Sequence, residues 1–297
     1  GVFEQATSDF LRSSNIENRA IPGFFEPLGS PNISGVGSIC YNSFGIMAPR
    51  TTFGLTVRDT LADIEKANNI VVWGANPITD SPQFQFYKIV NAKRRGAKII
   101  AIDHFMTDIC KRADDYYLVR SGTDGALALA LLKIIIDEQL YDKDFVENWT
   151  VGFKELEEYL NTKSLEEWVS ITGLKLENVV NLAQELAKEE KTTLIMYTGL
   201  EYSNSGVQTI RAVYTIWAIL GKLDIPGGLL LTSEAQRPKR IKEIKCEKPT
   251  MNPIGMKEYP LFCEMLQSAQ FMTFPQAVLE NDPYPIRGLF NIGSSIL

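Results

Sequence analysis

The stretch NIVVWGANP, residues 69–77, decides the fold because it joins a short apolar run to a glycine turn. Residues 70–73 are continuously apolar, which is typical of a strand buried on both faces of a parallel sheet. Two further strands of this kind are predicted over residues 98–102 and 116–119. Strands that alternate with helices indicate a parallel sheet with right-handed crossovers. The sequence therefore predicts an α/β protein with a doubly wound, Rossmann-like sheet.

Helical periodicity and capping residues outline the segments around these strands. We predict helices over residues 62–67, 81–95, 125–139, 142–148, 164–171, 176–188, 206–220 and 271–279. Further strands are predicted over residues 193–198 and 285–292. The regular alternation places the doubly wound region at about residues 40–235.

Composition narrows the classes of function. A net charge of −6 disfavours nucleic-acid binding, which normally needs a basic face. No run reaches the ~20 apolar residues of a membrane span, and the longest candidate is interrupted by Lys133. The four cysteines form no CxxC pair, so neither a disulfide framework nor a zinc knuckle is expected. The single histidine, His104, argues against a histidine-rich metal site.

The residues that directly follow each strand are the candidate site, because parallel α/β sheets bind ligands outside the carboxyl ends of their strands. After the first strand, Gly74 permits the close approach of a phosphate, and Asn76 can donate from its amide. An ordinary strand-to-helix turn explains the same two residues equally well. The GxGxxG pattern of NAD-binding proteins is absent, which disfavours a free-standing NAD-dependent dehydrogenase.

Two further strand ends carry polar residues. Asp103 can accept hydrogen bonds from ribose hydroxyls, although a helix-capping aspartate is a common alternative. In the next turn, Gly122, Thr123 and Asp124 precede a helix that Thr123 or Asp124 can cap. The functional interpretation is that Asp124 accepts hydrogen bonds from the edge of a base. Three such signals at successive strand ends predict a nucleotide site.

Cys40 is a candidate of a different kind. A lone cysteine is most often a small buried apolar residue. The alternative is a thiolate bound to a soft metal. Composition leaves both interpretations open.

Several groups of residues share their order along the chain with one known family. They are NIVVWGANP at 69–77, AKRRGAK at 92–98, SGTDGAL at 121–127, LYDKDFV at 140–146, TVGF at 150–153, GVQ at 206–208, GKL at 221–223 and PGG at 226–228. In these residues, over nearly its whole length, the chain resembles molybdopterin oxidoreductases of the dimethyl sulfoxide reductase and formate dehydrogenase type.

The resemblance implies an enzyme that carries molybdenum or tungsten on two molybdopterin guanine dinucleotides. Such enzymes transfer two electrons, or an oxygen atom, to or from a small substrate. Residues 40–235 would then bind the guanosine diphosphate half of one cofactor. The implied cofactor-binding residues are Gly74, Asn76, Asp103, Gly122, Thr123, Asp124, Gly199 and Gly206.

Cys40 falls where this family places its metal ligand, so the resemblance makes it the expected catalytic residue and metal ligand. Two positions depart from the family pattern. His104 follows Asp103 where the family usually has Pro, and the Arg after that is replaced by Phe105. Ser38 stands where the family often has an arginine, two residues before the ligand. The first departure removes a charged contact that the family has after Asp103, and the second leaves the type of reaction open.

The resemblance also implies a longer parent protein. Residues 1–39 and 236–297 would belong to a second, discontinuous α/β domain, which is truncated here. An iron–sulfur cluster is expected upstream, the rest of the pterin-binding surface downstream, and electron-transfer subunits as partners. We expect this chain alone to be inactive. The alternative is a non-catalytic nucleotide-binding or scaffold module derived from the family. The substrate, the choice of metal and the compartment stay open.

Overall fold

The computed structural model describes residues 2–4, 24–25, 27–79, 84–233 and 249–292. The strands are β1 Val2–Glu4, β2 Ile33–Gly35, β3 Val57–Ala62, β4 Asn69–Trp73, β5 Lys98–Asp103, β6 Asp115–Leu118, β7 Thr192–Met196, β8 Leu229–Ser233 and β9 Phe290–Ile292. The α-helices are α1 Ala48–Phe53, α2 Phe84–Arg94, α3 Asp124–Asp137, α4 Lys143–Trp149, α5 Phe153–Leu160, α6 Leu165–Thr172, α7 Leu176–Lys188, α8 Thr198–Glu201, α9 Gly206–Ile219, α10 Pro260–Leu266 and α11 Phe274–Glu280. A 3₁₀-helix, Val36–Ile39, and a π-helix, Asn42–Met47, precede α1.

The chain divides into two compact units. The first unit comprises residues 1–43 and 235–297, and the second comprises residues 44–234. In the first unit, β1 lies between β2 and β9 and pairs with both in parallel. A small apolar core of Ile254, Ala269 and Ala277 also belongs to the first unit.

A four-stranded parallel sheet organises the second unit, in the order β6-β5-β4-β7. All five residues of β4 are buried, as expected for a strand covered on both faces. The chain first adds strands on one side of β4 and then adds β7 on the other side. The carboxyl ends of β4 and β7 therefore form a topological switch point, which is where open α/β sheets bind ligands. The four strands predicted from the sequence are confirmed.

Helices cover both faces of this sheet. On one face, Ile89 and Ala92 of α2 pack in a core that includes alternate sheet residues such as Ile70 and Ile99. On the other face, α3 is almost entirely apolar and packs against α6, α7 and α9. Burial of these alternate faces explains why the strands are apolar without interruption. The predicted mixed α/β fold with a parallel sheet is confirmed.

Three short elements differ from the sequence prediction. Residues 62–67 do not form a helix, because the chain ends strand β3 at Ala62 and then turns. β3 pairs antiparallel with β8, a partner far away in the sequence that local patterns do not reveal. Within residues 285–292 only β9 forms a strand, and Pro285 itself has no N–H with which to join one. Helix α5 was missed, although its apolar positions Phe153, Leu156 and Leu160 have helical spacing.

The remaining helix predictions agree with the structure to within a few residues, except that the predicted start of α2 at residues 81–83 lies outside the described part of the chain. No helix in the described ranges is both long enough and apolar enough to cross a lipid bilayer.

Candidate functional site

Two glycines bring the loops after β4 and β7 into backbone contact at the switch point. The Gly199 N–H donates to the Gly74 carbonyl at 3.0 Å, and the Gly74 N–H donates to the Ile102 carbonyl at 2.9 Å. A Cβ at Gly199 would lie 2.5 Å from the Gly74 carbonyl oxygen, and one at Gly74 would overlap Leu200. Gly74 also has a φ of +61°, a conformation that favours glycine. A side chain at Gly199 would therefore overlap the Gly74 backbone, whereas one at Gly74 would overlap the Leu200 side chain and impose an unfavourable backbone conformation.

Asp103 ends β5 beside this switch point and is buried, with 6% of its surface exposed. Its Oδ1 accepts a hydrogen bond from the His104 backbone N–H at 2.7 Å and lies 3.0 Å from His104 Nδ1. Burial raises the pKa of Asp103 above its usual value, although the bonds from His104 oppose the shift. No helix begins directly after Asp103, so the helix-capping alternative does not apply.

Asp124 is the first residue of α3, and Trp73 at the end of β4 holds it in place. The Trp73 indole Nε1–H donates to Asp124 Oδ1 at 2.8 Å. Burial raises the pKa of Asp124, and the negative charge of Asp103 raises it further. The fold therefore brings Asp103 and Asp124 close enough for their charges to interact, as their positions at neighbouring strand ends predicted.

The turn before α3 explains Gly122 and Thr123 structurally. Gly122 has a φ of +76°, and a Cβ there would meet no atom within 4 Å. The Thr123 hydroxyl donates to the Arg120 carbonyl at 2.6 Å and does not cap α3. These two residues shape the turn that presents Asp124. Their binding to a cofactor stays a prediction.

Asn76 and Gly206 occupy the outer parts of the same two loops. The Asn76 amide Nδ2 donates to the Thr79 hydroxyl at 2.9 Å and stabilises the turn after β4. Gly206 begins α9, where a Cβ would overlap the backbone of Glu201. Gly206 thus allows the close approach of two backbone segments. Both residues thus have local structural roles, and their binding to a cofactor stays a prediction.

Glu201, at the end of α8, was not singled out from the sequence. It is buried with 7% of its surface exposed, and its Oε2 has no hydrogen-bond partner among the described residues. Burial raises the pKa of Glu201 to about 7, against a smaller opposing effect of the hydrogen bond from the Phe44 backbone N–H. A lone acid in the apolar segment TGLEY, directly after a buried strand, was the available signal.

Cys40 lies in the first unit, directly after the 3₁₀-helix, and is half-buried. Its N–H donates to the Gly37 carbonyl at 3.3 Å, and its carbonyl accepts from the Ser43 N–H at 3.4 Å. The π-helix begins two residues later, and π-helical turns often mark functional sites. Across the described residues, no group of three or more His, Cys, Asp or Glu side chains is arranged to hold a metal ion. The role of Cys40 as a metal ligand stays a prediction.

Fold and site together define a mixed α/β protein with buried or partly buried carboxyl groups near the switch point of a parallel sheet. Residues 13–255 match the family model described as molybdopterin oxidoreductase. The chain belongs to this family, and the resemblance seen in its motifs is confirmed.

Two relatives and one solved structure illustrate this membership. Acetylene hydratase of Syntrophotalea acetylenica is 29% identical over 302 residues, which cover 92% of this chain and 40% of that protein. The probable oxidoreductase YyaE of Bacillus subtilis is 31% identical over 245 residues, which cover 82% of this chain and 36% of that protein. The structure of acetylene hydratase from Pelobacter acetylenicus has the same fold, with a TM-score of 0.79 at 24% identity. That match covers 99% of this chain and 43% of the other, so the chain spans less than half the length of these proteins.

Proposed function

We propose that the second unit is a Rossmann-like domain that binds the guanosine diphosphate half of a molybdopterin guanine dinucleotide. The longer protein would be a molybdenum or tungsten enzyme that transfers two electrons or an oxygen atom to or from a small substrate. The observation that carries this proposal is the buried Asp103 together with the partly buried Asp124, which Trp73 holds at the end of β4, beside the glycine contact at the switch point.

The two aspartates suit the nucleoside part of the ligand. Among the described residues, no lysine or arginine forms an ion pair with Asp103 or Asp124. Carboxylates accept hydrogen bonds, and a guanosine offers ribose hydroxyl and base N–H donors. A phosphate placed between two carboxylates would be repelled, so this end of the site favours the nucleoside.

The glycine contact suits the diphosphate. Gly74 and Gly199 let the loops after β4 and β7 pack backbone against backbone, so both loops border the crevice at the switch point. In related sheet topologies, the crevice at the switch point takes the phosphates of the nucleotide. The buried Oε2 of Glu201, which has no partner in the described chain, also fits a polar ligand at this place.

Cys40 is the proposed metal ligand. A thiolate suits a soft or high-valent metal, and the described residues supply no further cluster of ligands, so the pterin sulfurs would complete the coordination. When bound, the metal and its pterins supply the electron or oxygen-atom transfer chemistry. The residues of this chain bind and orient the nucleotide part. An iron–sulfur cluster and electron-transfer subunits are proposed for the rest of the longer protein and its partners.

Calorimetric titration of the full 297-residue chain with GDP tests the nucleotide site. We expect GDP to bind, ADP to bind more weakly, and Asp124→Asn to weaken GDP by about tenfold through loss of a charged acceptor. Circular dichroism checks that the variant is folded. A folded wild-type chain that takes up no GDP would reject the proposal.

Metal analysis of the longer protein, purified without oxygen, tests the proposed metal and its ligand Cys40. We expect molybdenum or tungsten in the wild type and its loss in Cys40→Ser. Absence of both metals, or a Cys40→Ser variant that retains full function, would favour the non-catalytic scaffold.

Addition of water to a substrate is a second candidate reaction, because one relative is named acetylene hydratase. Both reactions would use the same nucleotide site, so GDP binding does not separate them. Assays of the longer protein with an artificial electron acceptor, compared with assays for hydration of acetylene, do separate them.

A further inference from the structure

Glu201 stands out because it combines deep burial with an incomplete set of hydrogen bonds. It lies two residues after Gly199, at the switch point, and only 7% of its surface is exposed. One carboxyl oxygen accepts from the Phe44 backbone N–H, whereas Oε2 has no partner in the described ranges. A buried polar atom without a partner costs about 1–3 kcal/mol, so a structure retains one where something else completes it.

Among the residues that the structure describes, no cation acts on the pKa of Glu201. The π-helix that contains Phe44 carries no charged residue, and neither does the loop over residues 74–79. Helix α9, which packs against α8, carries Arg211 and the ionisable Tyr214. Arg211 Nη1 donates to Gln208 on its own helix at 3.0 Å, and Tyr214 is hydrogen-bonded to Thr60.

Burial without a cation favours the neutral form of the carboxyl group. In that form one oxygen accepts the Phe44 N–H, and the proton resides on Oε2. Glu201 then presents an O–H donor that has no acceptor in the described chain. Glu201 follows Gly199 by two residues, in the loop that borders the switch point, and a sheet of this topology takes the phosphates of its nucleotide there.

We propose that neutral Glu201 binds the nucleotide by donating the Oε2–H hydrogen bond to an anionic oxygen of its diphosphate. The assignment rests on the proposed function, since it concerns the same nucleotide. It differs from the roles of Asp103 and Asp124, which accept hydrogen bonds from the nucleoside. Glu201 thereby becomes the carboxyl group of the site that contacts phosphate.

Affinity for GDP should therefore respond to pH through Glu201. The pKa of this group lies at about 7 in the folded chain. Below that pH the carboxyl group donates to the phosphate, whereas above it the carboxylate repels the phosphate. We expect about a tenfold loss of affinity attributable to Glu201 between pH 6 and pH 8.5.

The experiment is calorimetric titration of the full 297-residue chain with GDP at these two pH values, for the wild type and Glu201→Gln. The amide of Gln keeps a donor at both pH values, so the ionisation of GDP and of other groups cancels in the ratio of the two affinities. We expect this ratio to change about tenfold for GDP and to stay constant for guanosine, which has no phosphate. Glu185 lies in helix α7 and pairs with Lys98 at the start of β5, away from the switch point. The GDP affinity of Glu185→Gln should therefore change with pH as that of the wild type does.

The outcomes separate the two proposals. A wild type that does not bind GDP at either pH rejects the proposed function and this assignment with it. GDP binding whose pH response is the same in the wild type and Glu201→Gln rejects the assignment alone. A ratio that changes equally for GDP and guanosine also rejects it, because the contact would then not involve phosphate.

Discussion

Charged groups are neutralised at one end of the strands of the four-stranded sheet and, among the described residues, left without lysine or arginine partners at the other. At the amino edge, where the strands begin, Lys98 lies between Asp115 and Glu185 and pairs with both. Asp114 accepts from the Ile99 N–H at 2.8 Å and pairs with Lys93 at 3.0 Å. Burial opposes ionisation of Asp114, but the Ile99 N–H and Lys93 outweigh it, so its pKa is lowered.

At the carboxyl edge, burial raises the pKa values of Asp103, Asp124 and Glu201, and no lysine or arginine of the described residues pairs with them. The amino edge is complete without a ligand and contributes to stability. The carboxyl edge keeps polar groups whose interactions a ligand must complete, which is the usual departure from local consistency at a binding site. Substitutions of the aspartates at the two edges should therefore affect different properties.

The largest effect is expected where the carboxyl edge is held together, at Gly199. Gly199→Ala places a Cβ 2.5 Å from the Gly74 carbonyl oxygen, and no positive φ is involved. We expect overpacking to lower the free energy of unfolding by about 3 kcal/mol, measured by urea denaturation.

Gly122→Ala is the matched control for this substitution. Gly122 has a φ of +76°, but an added Cβ meets no atom within 4 Å, so only backbone strain of about 1 kcal/mol is expected. Equal losses in the two variants would show that the contact between Gly74 and Gly199 does not hold the edge together.

The sequence predicts this edge only in part. Asp103 and Asp124 were found because an apolar run followed by a polar residue marks a strand end, and parallel strands bring their ends together. Trp73 was not connected to Asp124 in advance, because the bond joins positions 51 residues apart. The pairing of β3 with β8 escaped prediction for the same reason.

Glu201 illustrates a second limit of prediction from the sequence. Its residue type is visible in the sequence, but its burial depends on how α8, α9 and the segment around Phe44 pack together. The metal-binding role of Cys40 has a different basis, since only the family resemblance suggested it. Side-chain roles that depend on distant packing need the folded chain.

A pH-dependent loss of stability is the next expected effect, and it comes from Glu201. Its pKa is raised from an ordinary 4.5 to about 7 in the folded chain. Between these values the folded state binds more protons than the unfolded state, so the free energy of unfolding falls as pH rises. Below this window both states are protonated, and above it both are ionised. Relative to Glu201→Gln, the wild type should lose roughly 2–3 kcal/mol from pH 4.5 to pH 7, as measured by urea denaturation. Parallel curves for the two proteins would contradict the burial of this carboxyl group.

The smallest effects come from a matched pair of aspartates on the two edges. Asp114→Asn removes a partly exposed ion pair with Lys93 and the charged acceptor of the Ile99 N–H, so we expect a loss of about 1 kcal/mol in stability. Calorimetry should show its GDP affinity unchanged.

Asp103→Asn should instead leave stability almost unchanged and weaken the binding of GDP. Asn keeps an acceptor for the His104 N–H and removes a charge that burial disfavours, so stability at neutral pH should hold or rise slightly. GDP affinity should fall about tenfold, because a charged acceptor for the nucleoside is lost. If Asp103→Asn instead lost stability while binding GDP normally, its carboxylate would be a structural group like that of Asp114. The contrast between the two edges would then not identify the ligand site.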